Sequence, residues 1–129
     1  MTVEATAVVQ SGAKIDPSAE IGPYAVIHED VEIGPNCVIG SHVEINHARI
    51  GGGTRVGSHS IIGGDPQMLG WEPVPSIVRI GADNDIREMV TIHRSKDSGG
   101  ETVIGDRNMI MTNTHIGHNC VIGNDTVII

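Results

Sequence analysis

Apolar residues recur along this chain at intervals of six. Val3, Val9, Ile15, Ile21, Ile27, Ile33, Ile39 and Ile45 form one unbroken series. A single step of five leads to Ile50, Val56 and Ile62; the period returns at Ile80, Ile86 and Ile92, and again at Ile104, Ile110, Ile116, Ile122 and Ile128. A second series rides on the first, because a small or β-branched residue stands four positions after the anchor at Ala7, Ala13, Ala19, Ala25, Val31, Cys37, Val43, Thr54, Ser60, Val90, Thr114, Cys120 and Thr126. A helix repeats near 3.6 residues and a simple strand near 2, so six fits neither alone. It fits a short strand followed by a sharp turn: the anchor points inward, the small residue fills a crowded corner, and the Gly that often follows the anchor permits the turn dihedrals. Three such units close a triangular coil of about eighteen residues, and stacked coils pair backbone to backbone at roughly 4.8 Å, as in a parallel sheet. The pattern therefore predicts an all-β fold, a single-stranded parallel β-helix forming one domain over residues 1–129.

Two stretches break the period and read as excursions from the prism, residues 64–79 (GDPQMLGWEPVPSIVR) and 93–103 (HRSKDSGGETV). The first holds three prolines and the only Trp, although Met68 and Val74 stay in phase and leave an irregular extra coil open; the second carries the loop signal KDSGG. Loops on a rigid scaffold are where sites tend to be built.

Composition narrows the picture. There is no Phe, one Trp and one Tyr among 39% hydrophobic residues, so the core must be made of Ile, Val, Met and Ala in a narrow interior. A formal charge of −8 argues against nucleic acid as a partner, since affinity there rests on Lys and Arg neutralising phosphates. Five of the eight basic residues (Arg79, Arg87, Arg94, Lys96, Arg107) cluster in one segment, either as a local anion-binding face or as a solvated surface with counter-charges Asp83, Asp85, Glu88, Asp97 and Asp106. Cys37 and Cys120 form no CxxC pair and read as reduced thiols. The opening MTVEATAVVQ lacks a basic signal-peptide start, and no apolar run approaches a membrane span, so the expected setting is cytoplasmic and soluble.

Seven histidines punctuate the repeats. His42 and His59 each follow an anchor by three residues and should stack on one face as surface decoration. His93 follows Ile92, while His115 and His118 flank Ile116; if the second excursion adds no strand, those anchors are three hexads apart and the three imidazoles converge beside Arg94 and Lys96. If the loop adds a hexad around Ser98, the faces rotate and they separate. A convergent trio has two chemical readings. Zinc takes about three protein nitrogens and an open position; a neutral imidazole can instead take a proton from a hydroxyl attacking a thioester.

The run IREMVTIHRSKDSGGETVIGDRNMIMTNTHIGHNCVIGN, residues 86–124, resembles the UDP-N-acetylglucosamine 3-O-acyltransferases of lipid A biosynthesis, whose hallmark is a VTIHR strand, a Gly-rich loop and an H-x-x-H-x-C strand. The hexapeptide repeat resembles the wider transferase family over nearly the whole chain. The resemblance implies a left-handed β-helix, a hand that periodicity does not show and that the general preference for right-handed crossovers would oppose. It further implies transfer of a 3-hydroxyacyl chain from acyl carrier protein to the sugar 3-hydroxyl in a homotrimer with sites between subunits, and no metal or other cofactor. By the same resemblance His118 matches the catalytic base, His93 and His115 line its cleft, and Gln67 contacts the nucleotide sugar, with backbone N–H groups stabilising the oxyanion. Cys120 falls in the small-residue corner slot rather than in a nucleophile's position.

Three departures from the family pattern stand out. Asn119 replaces the usual Asp after the catalytic histidine, which weakens the base unless another carboxylate substitutes. Met68 and Gly70 replace an acidic and a basic residue of the sugar-contacting loop. The chain also stops in mid-repeat at Ile129, and is expected to be the N-terminal portion, or a shortened relative, of an acyltransferase. The alternatives are a non-catalytic β-helix scaffold and a zinc lyase of the carbonic anhydrase type.

Overall fold

The computed structural model describes residues 2–129, and among them every regular element is a short strand, 19 in all. Each anchor named above lies in a strand of its own. The chain is a left-handed parallel β-helix with three faces. One face holds seven strands, from Thr2–Val3 to Val127–Ile128. A second, the histidine face, holds six, from Val8–Val9 through Ile61–Gly64 and Thr91–His93 to His115–Ile116. The third, the arginine face, also holds six, from Lys14–Ile15 through Ala48–Ile50, Ile77–Ile80 and Glu101–Ile104 to Val121–Ile122.

Register turns the six-residue period into three columns of side chains. On the histidine face Val9, Ile27, Ile45, Ile62, Ile92 and Ile116 stand directly over one another. Val3, Ile21, Ile39, Val56, Ile86, Ile110 and Ile128 form the column of the seven-stranded face. Ile15, Ile33, Ile50, Ile80, Ile104 and Ile122 form that of the arginine face. The columns meet in one continuous core, in which Ile27, Ile45, Ile62, Ile92 and Ile110 are fully buried. No aromatic ring enters it, because the interior of each coil is only as wide as three branched aliphatic side chains.

The turns work differently from the sequence expectation. At most anchors the following Gly supplies room rather than a left-handed turn; Gly63, after Ile62, is an exception with φ of 88°. A Cβ on Gly57 would lie 2.6 Å from the carbonyl carbon of Arg87 in the next coil, too close for any side chain. The left-handed residue comes two positions later, three after the anchor, and is filled by Asn36, His42, His59, Asp83, Asn113, Asn119 and Asp125 among others. Asn, Asp and His are the side chains most often tolerated there. The corner slot four after the anchor also accepts polar groups that satisfy the backbone: Thr54 and Ser60 donate to the carbonyls of Gly81 and Arg87 at 3.0 and 2.8 Å. Asn84 and Asn108, which the small-residue pattern passes over, sit in the same slot; Asn84 Oδ1 accepts the Asn108 N–H at 2.9 Å, and their amides donate to the carbonyls of Gly105 and Gly123.

Ile92 lies between Ile62 and Ile116 with no exposed surface. Its truncation to Ala should lower unfolding free energy by about 2–5 kcal/mol, read by urea denaturation, because the adjoining layers are held by their own backbone pairing and cannot collapse into the cavity. A loss near that of a surface substitution would mean that the column is not the support of the fold.

Candidate functional site

The corner where the histidine face turns into the arginine face is where the chain departs from regularity. The five-residue step from Ile45 to Ile50 is made there, and both excursions leave from it in the next two coils. The first occupies residues 65–76 and the second residues 94–100, shorter than the sequence breaks, because Gly64, Ile77–Arg79, His93 and Glu101–Val103 remain in strands. The second excursion adds no strand. Ile92 therefore pairs with Ile116 and Thr91 with His115, and the condition for the imidazoles to converge is met.

Arg94 ties the excursions together. Its side chain is 6% exposed; Nε donates to Asp65 Oδ1 at 3.1 Å, an Nη–H donates to the Val74 carbonyl at 2.8 Å, and the guanidinium lies 5.1 Å over the Trp71 ring. Trp71 Nε1 donates to the Lys96 carbonyl, and Ser76 to the Ser95 carbonyl at 2.6 Å. Arg94 is thus internal support, not a cation offered to an anion. Arg79, Arg87, Lys96 and Arg107 are each paired as well, with Glu101, Glu88, Asp97 and Asp125. Of the two readings of the basic cluster, the structure supports the counter-charged surface.

Against this framework stand the histidines. His93 lies across from Gly64, whose missing side chain leaves the space its ring occupies: a Cβ there would come within 3.2 Å of His93 Cδ2. The His93 and His115 rings meet edge to face at 4.5 Å, and His115 Nδ1 shares a 2.8 Å hydrogen bond with Thr91 Oγ1. His118, half-buried in the following turn, has its Nδ1 2.9 Å from Asn119 Oδ1. Gln67 is exposed on the first excursion, and among the described residues no hydrogen bond joins it to the imidazoles. His42 and His59 stack at 4.6 Å on another edge of the prism, with Tyr24 continuing the ladder. Cys37 is buried and its thiol is pushed up by that burial; Cys120 is exposed, and both are free. No group of three or more His, Cys, Asp or Glu side chains among the described residues is disposed to hold a metal ion.

Sequence reasoning missed the supporting polar groups. Asn119 was visible only as a departure, yet it is the centre of the local network: Oδ1 accepts the Lys96 backbone N–H at 3.0 Å, and Nδ2 donates to Ser95 Oγ at 2.8 Å and Asp97 Oδ2 at 3.0 Å. Its own N–H donates to Thr102 Oγ1. The signal lay in the KDSGG loop, but Asp97 read there as a counter-charge.

The three-faced coil with its left-handed corners is the architecture of a hexapeptide-repeat protein. The chain belongs to the family described as GMPPB C-terminal domain, whose model matches residues 3–96, and residues 101–128 match the bacterial transferase hexapeptide (six repeats). More particularly, it resembles the UDP-N-acetylglucosamine O-acyltransferases. It is 50% identical over 128 residues to the acyl-[acyl-carrier-protein]–UDP-N-acetylglucosamine O-acyltransferase of Paraburkholderia phymatum, covering 98% of this chain and 49% of that protein. It is 41% identical to the enzyme of the same name from Thermodesulfovibrio yellowstonii, over 97% of this chain and 49% of the relative. The crystal structure of the Moraxella catarrhalis UDP-N-acetylglucosamine O-acyltransferase superposes with a TM-score of 0.94 at 40% identity, over 98% of this chain and 50% of that one. The chain spans about half the length of the curated relatives it matches.

Burial holds the His93 imidazole below its ordinary value of 6.5, with the neighbouring charges of His115 and His118 acting in the same direction and Asp65 against them. Nδ1 of His93 is buried without a hydrogen-bond partner, and a protonated ring would need acceptors for both of its N–H groups. The folded chain therefore binds fewer protons here than the unfolded one below pH 6.5. The contribution to stability is complete above that value and is lost as pH falls toward the folded-state value. The stability difference between wild type and His93→Gln should accordingly narrow between about pH 7.5 and about pH 5. A nuclear magnetic resonance titration should place the His93 midpoint below 6.5; a midpoint at or above 6.5 would contradict the burial argument.

Proposed function

We propose that this chain forms part of an acyltransferase that moves a 3-hydroxyacyl group from acyl carrier protein to the 3-hydroxyl of UDP-N-acetylglucosamine in the cytoplasm, as a homotrimer, with His118 as general base. The observation that carries the reading is the anchoring of one imidazole nitrogen. An amide oxygen can only accept, so the 2.9 Å contact of His118 Nδ1 with Asn119 Oδ1 puts the proton of a neutral ring on Nδ1 and leaves Nε2 as the basic atom. A tautomer fixed in this way is what proton abstraction needs, and His93, whose ring meets that of His115, is near enough to feel the charge of His118.

In the reaction His118 Nε2 removes the proton from the sugar 3-hydroxyl as its oxygen attacks the thioester carbonyl. The tetrahedral adduct then loses the carrier-protein thiolate, which takes up the proton from the imidazolium. The oxygen–carbon bond forms, the carbon–sulfur bond breaks, and no acyl-enzyme intermediate is required. His115 and His93 are read as substrate-side groups of the cleft, and Gln67 as a nucleotide-sugar contact carried by the first excursion. The 40–50% identity to acyltransferases across nearly all of this chain supports this reading over the scaffold and the zinc lyase.

Calorimetry should show saturable binding of UDP-N-acetylglucosamine that is weakened in His115→Ala. In a thioester-dependent acylation assay His118→Ala should lose about 10²–10⁴-fold in rate. Its unfolding free energy should stay within about 0.5 kcal/mol of wild type, since the side chain lies outside the Ile columns. Acylation that survives this substitution removes His118 as the base, and absence of nucleotide-sugar binding favours the scaffold.

A further inference from the structure

We propose that Asp97 is a positioning residue for His118, supplying through the Asn119 amide the negative charge that Asn119 itself lacks; this rests on the general-base reading above. The connection is a continuous chain of hydrogen bonds. His118 Nδ1 meets Asn119 Oδ1 at 2.9 Å, and Asn119 Nδ2 donates to Asp97 Oδ2 at 3.0 Å.

The orientation of the amide is fixed by its other neighbours. The Lys96 backbone N–H, 3.0 Å away, can only donate and so faces the amide oxygen, whereas the Asp97 carboxylate can only accept and so faces the amide nitrogen. Rotating the amide by half a turn would set N–H against N–H and oxygen against oxygen. Ser95 Oγ, accepting from the same Nδ2 at 2.8 Å, fixes the plane, and Ser95 is itself fully buried. The backbone adds to this, because Asn119 holds φ of 66° at the left-handed corner position and its N–H is bonded to Thr102 Oγ1.

An amide between a carboxylate and an imidazole is polarised by both. Negative charge on Asp97 draws the Nδ2 protons outward and raises electron density on Oδ1, which strengthens the bond from His118 Nδ1–H and stabilises the imidazolium that forms when Nε2 takes a proton. Asp97 carries that charge readily, since the Lys96 ammonium, bonded to its Oδ1 at 2.8 Å, holds its carboxyl below the usual range, with further help from the Asn119 amide and the His118 charge. Lys96 also offsets part of the charge felt by His118. The remaining ionisable groups around the ring are His93 and His115 on the histidine face, and Asp65, which is paired with Arg94 behind His93.

Two variants disrupt the same Lys96–Asp97 contact but act in opposite directions on the relay. In Asp97→Asn the titration midpoint of His118, followed by nuclear magnetic resonance on the intact chain, should fall by about half a unit, a roughly threefold loss of proton affinity. In Lys96→Met it should rise. A purely structural role for the loop contact would move both the same way or neither. Asn119→Gly suits the left-handed backbone and removes the amide, so in that background the added effect of Asp97→Asn should largely vanish. An unchanged midpoint in Asp97→Asn, or an equal fall with and without the Asn119 amide, overturns the relay. The same substitution should slow acylation about threefold, with the acid limb of the pH–rate profile displaced to lower pH. If His118→Ala still acylates while the titrations behave as stated, the base assignment fails and the electrostatic link stands, so the two failures are separable.

Discussion

Parallel register between coils is the constraint on which the structure depends. Each strand supplies only two to four residues, far too few to be stable alone, and gains its position from the strand before and the strand after it. Backbone pairing fixes the vertical step, and once it is fixed every anchor must stand over the anchor one coil earlier. The interior then admits only side chains that fill a layer of constant height without crossing into the next, which is why Ile and Val dominate and why aromatic rings are absent from it. Gly57 and its equivalents reflect the same tightness at the corners, where backbone meets backbone with no room for a Cβ.

That rigidity has a consequence for where chemistry can be placed. Inward positions are committed to packing, and outward strand positions alternate among paired charges such as Lys14, Glu32 and Arg49. Only the corners can be lengthened without breaking register, and a single corner takes the short step at Asn46–His47 and both excursions. The two inserted segments lie against each other because they leave from successive coils. Arg94, almost wholly buried, gives up the role of a surface cation to hold Asp65, Val74 and Trp71 in one unit. His93 and His115 stand on the strands at this corner, and His118 is tied through Asn119 to the second excursion.

Within that corner, small differences in environment separate three chemically identical rings. His93 is pressed onto Gly64 with an unpartnered nitrogen, and burial holds its imidazole below the ordinary value; His115 is engaged by Thr91; His118 is engaged by an amide that is itself held by Lys96, Ser95 and Asp97. Asn119 joins the His118 ring by hydrogen bonds to the Asp97 carboxylate, a loop side chain exposed to solvent and salt.

The sequence by itself determined the columns, since a six-residue apolar period with three units to a coil brings every third anchor onto the same face, above the anchor one coil earlier. It determined as well that His93 and His118 would share a region once no hexad intervened, and that the zone around VTIHR and HIGHNC resembles an acyltransferase. The hand of the coil was beyond its reach, because three short strands and three corners give the same period in either sense. So was the purpose of the glycines: the pattern suggested turn dihedrals, whereas contact with the next coil demands empty space, and the left-handed burden falls on Asn, His and Asp two residues later. The orientation of Asn119 and its link to Asp97 were decided only by tertiary structure, because they join residues more than twenty positions apart through a loop whose path no periodicity constrains.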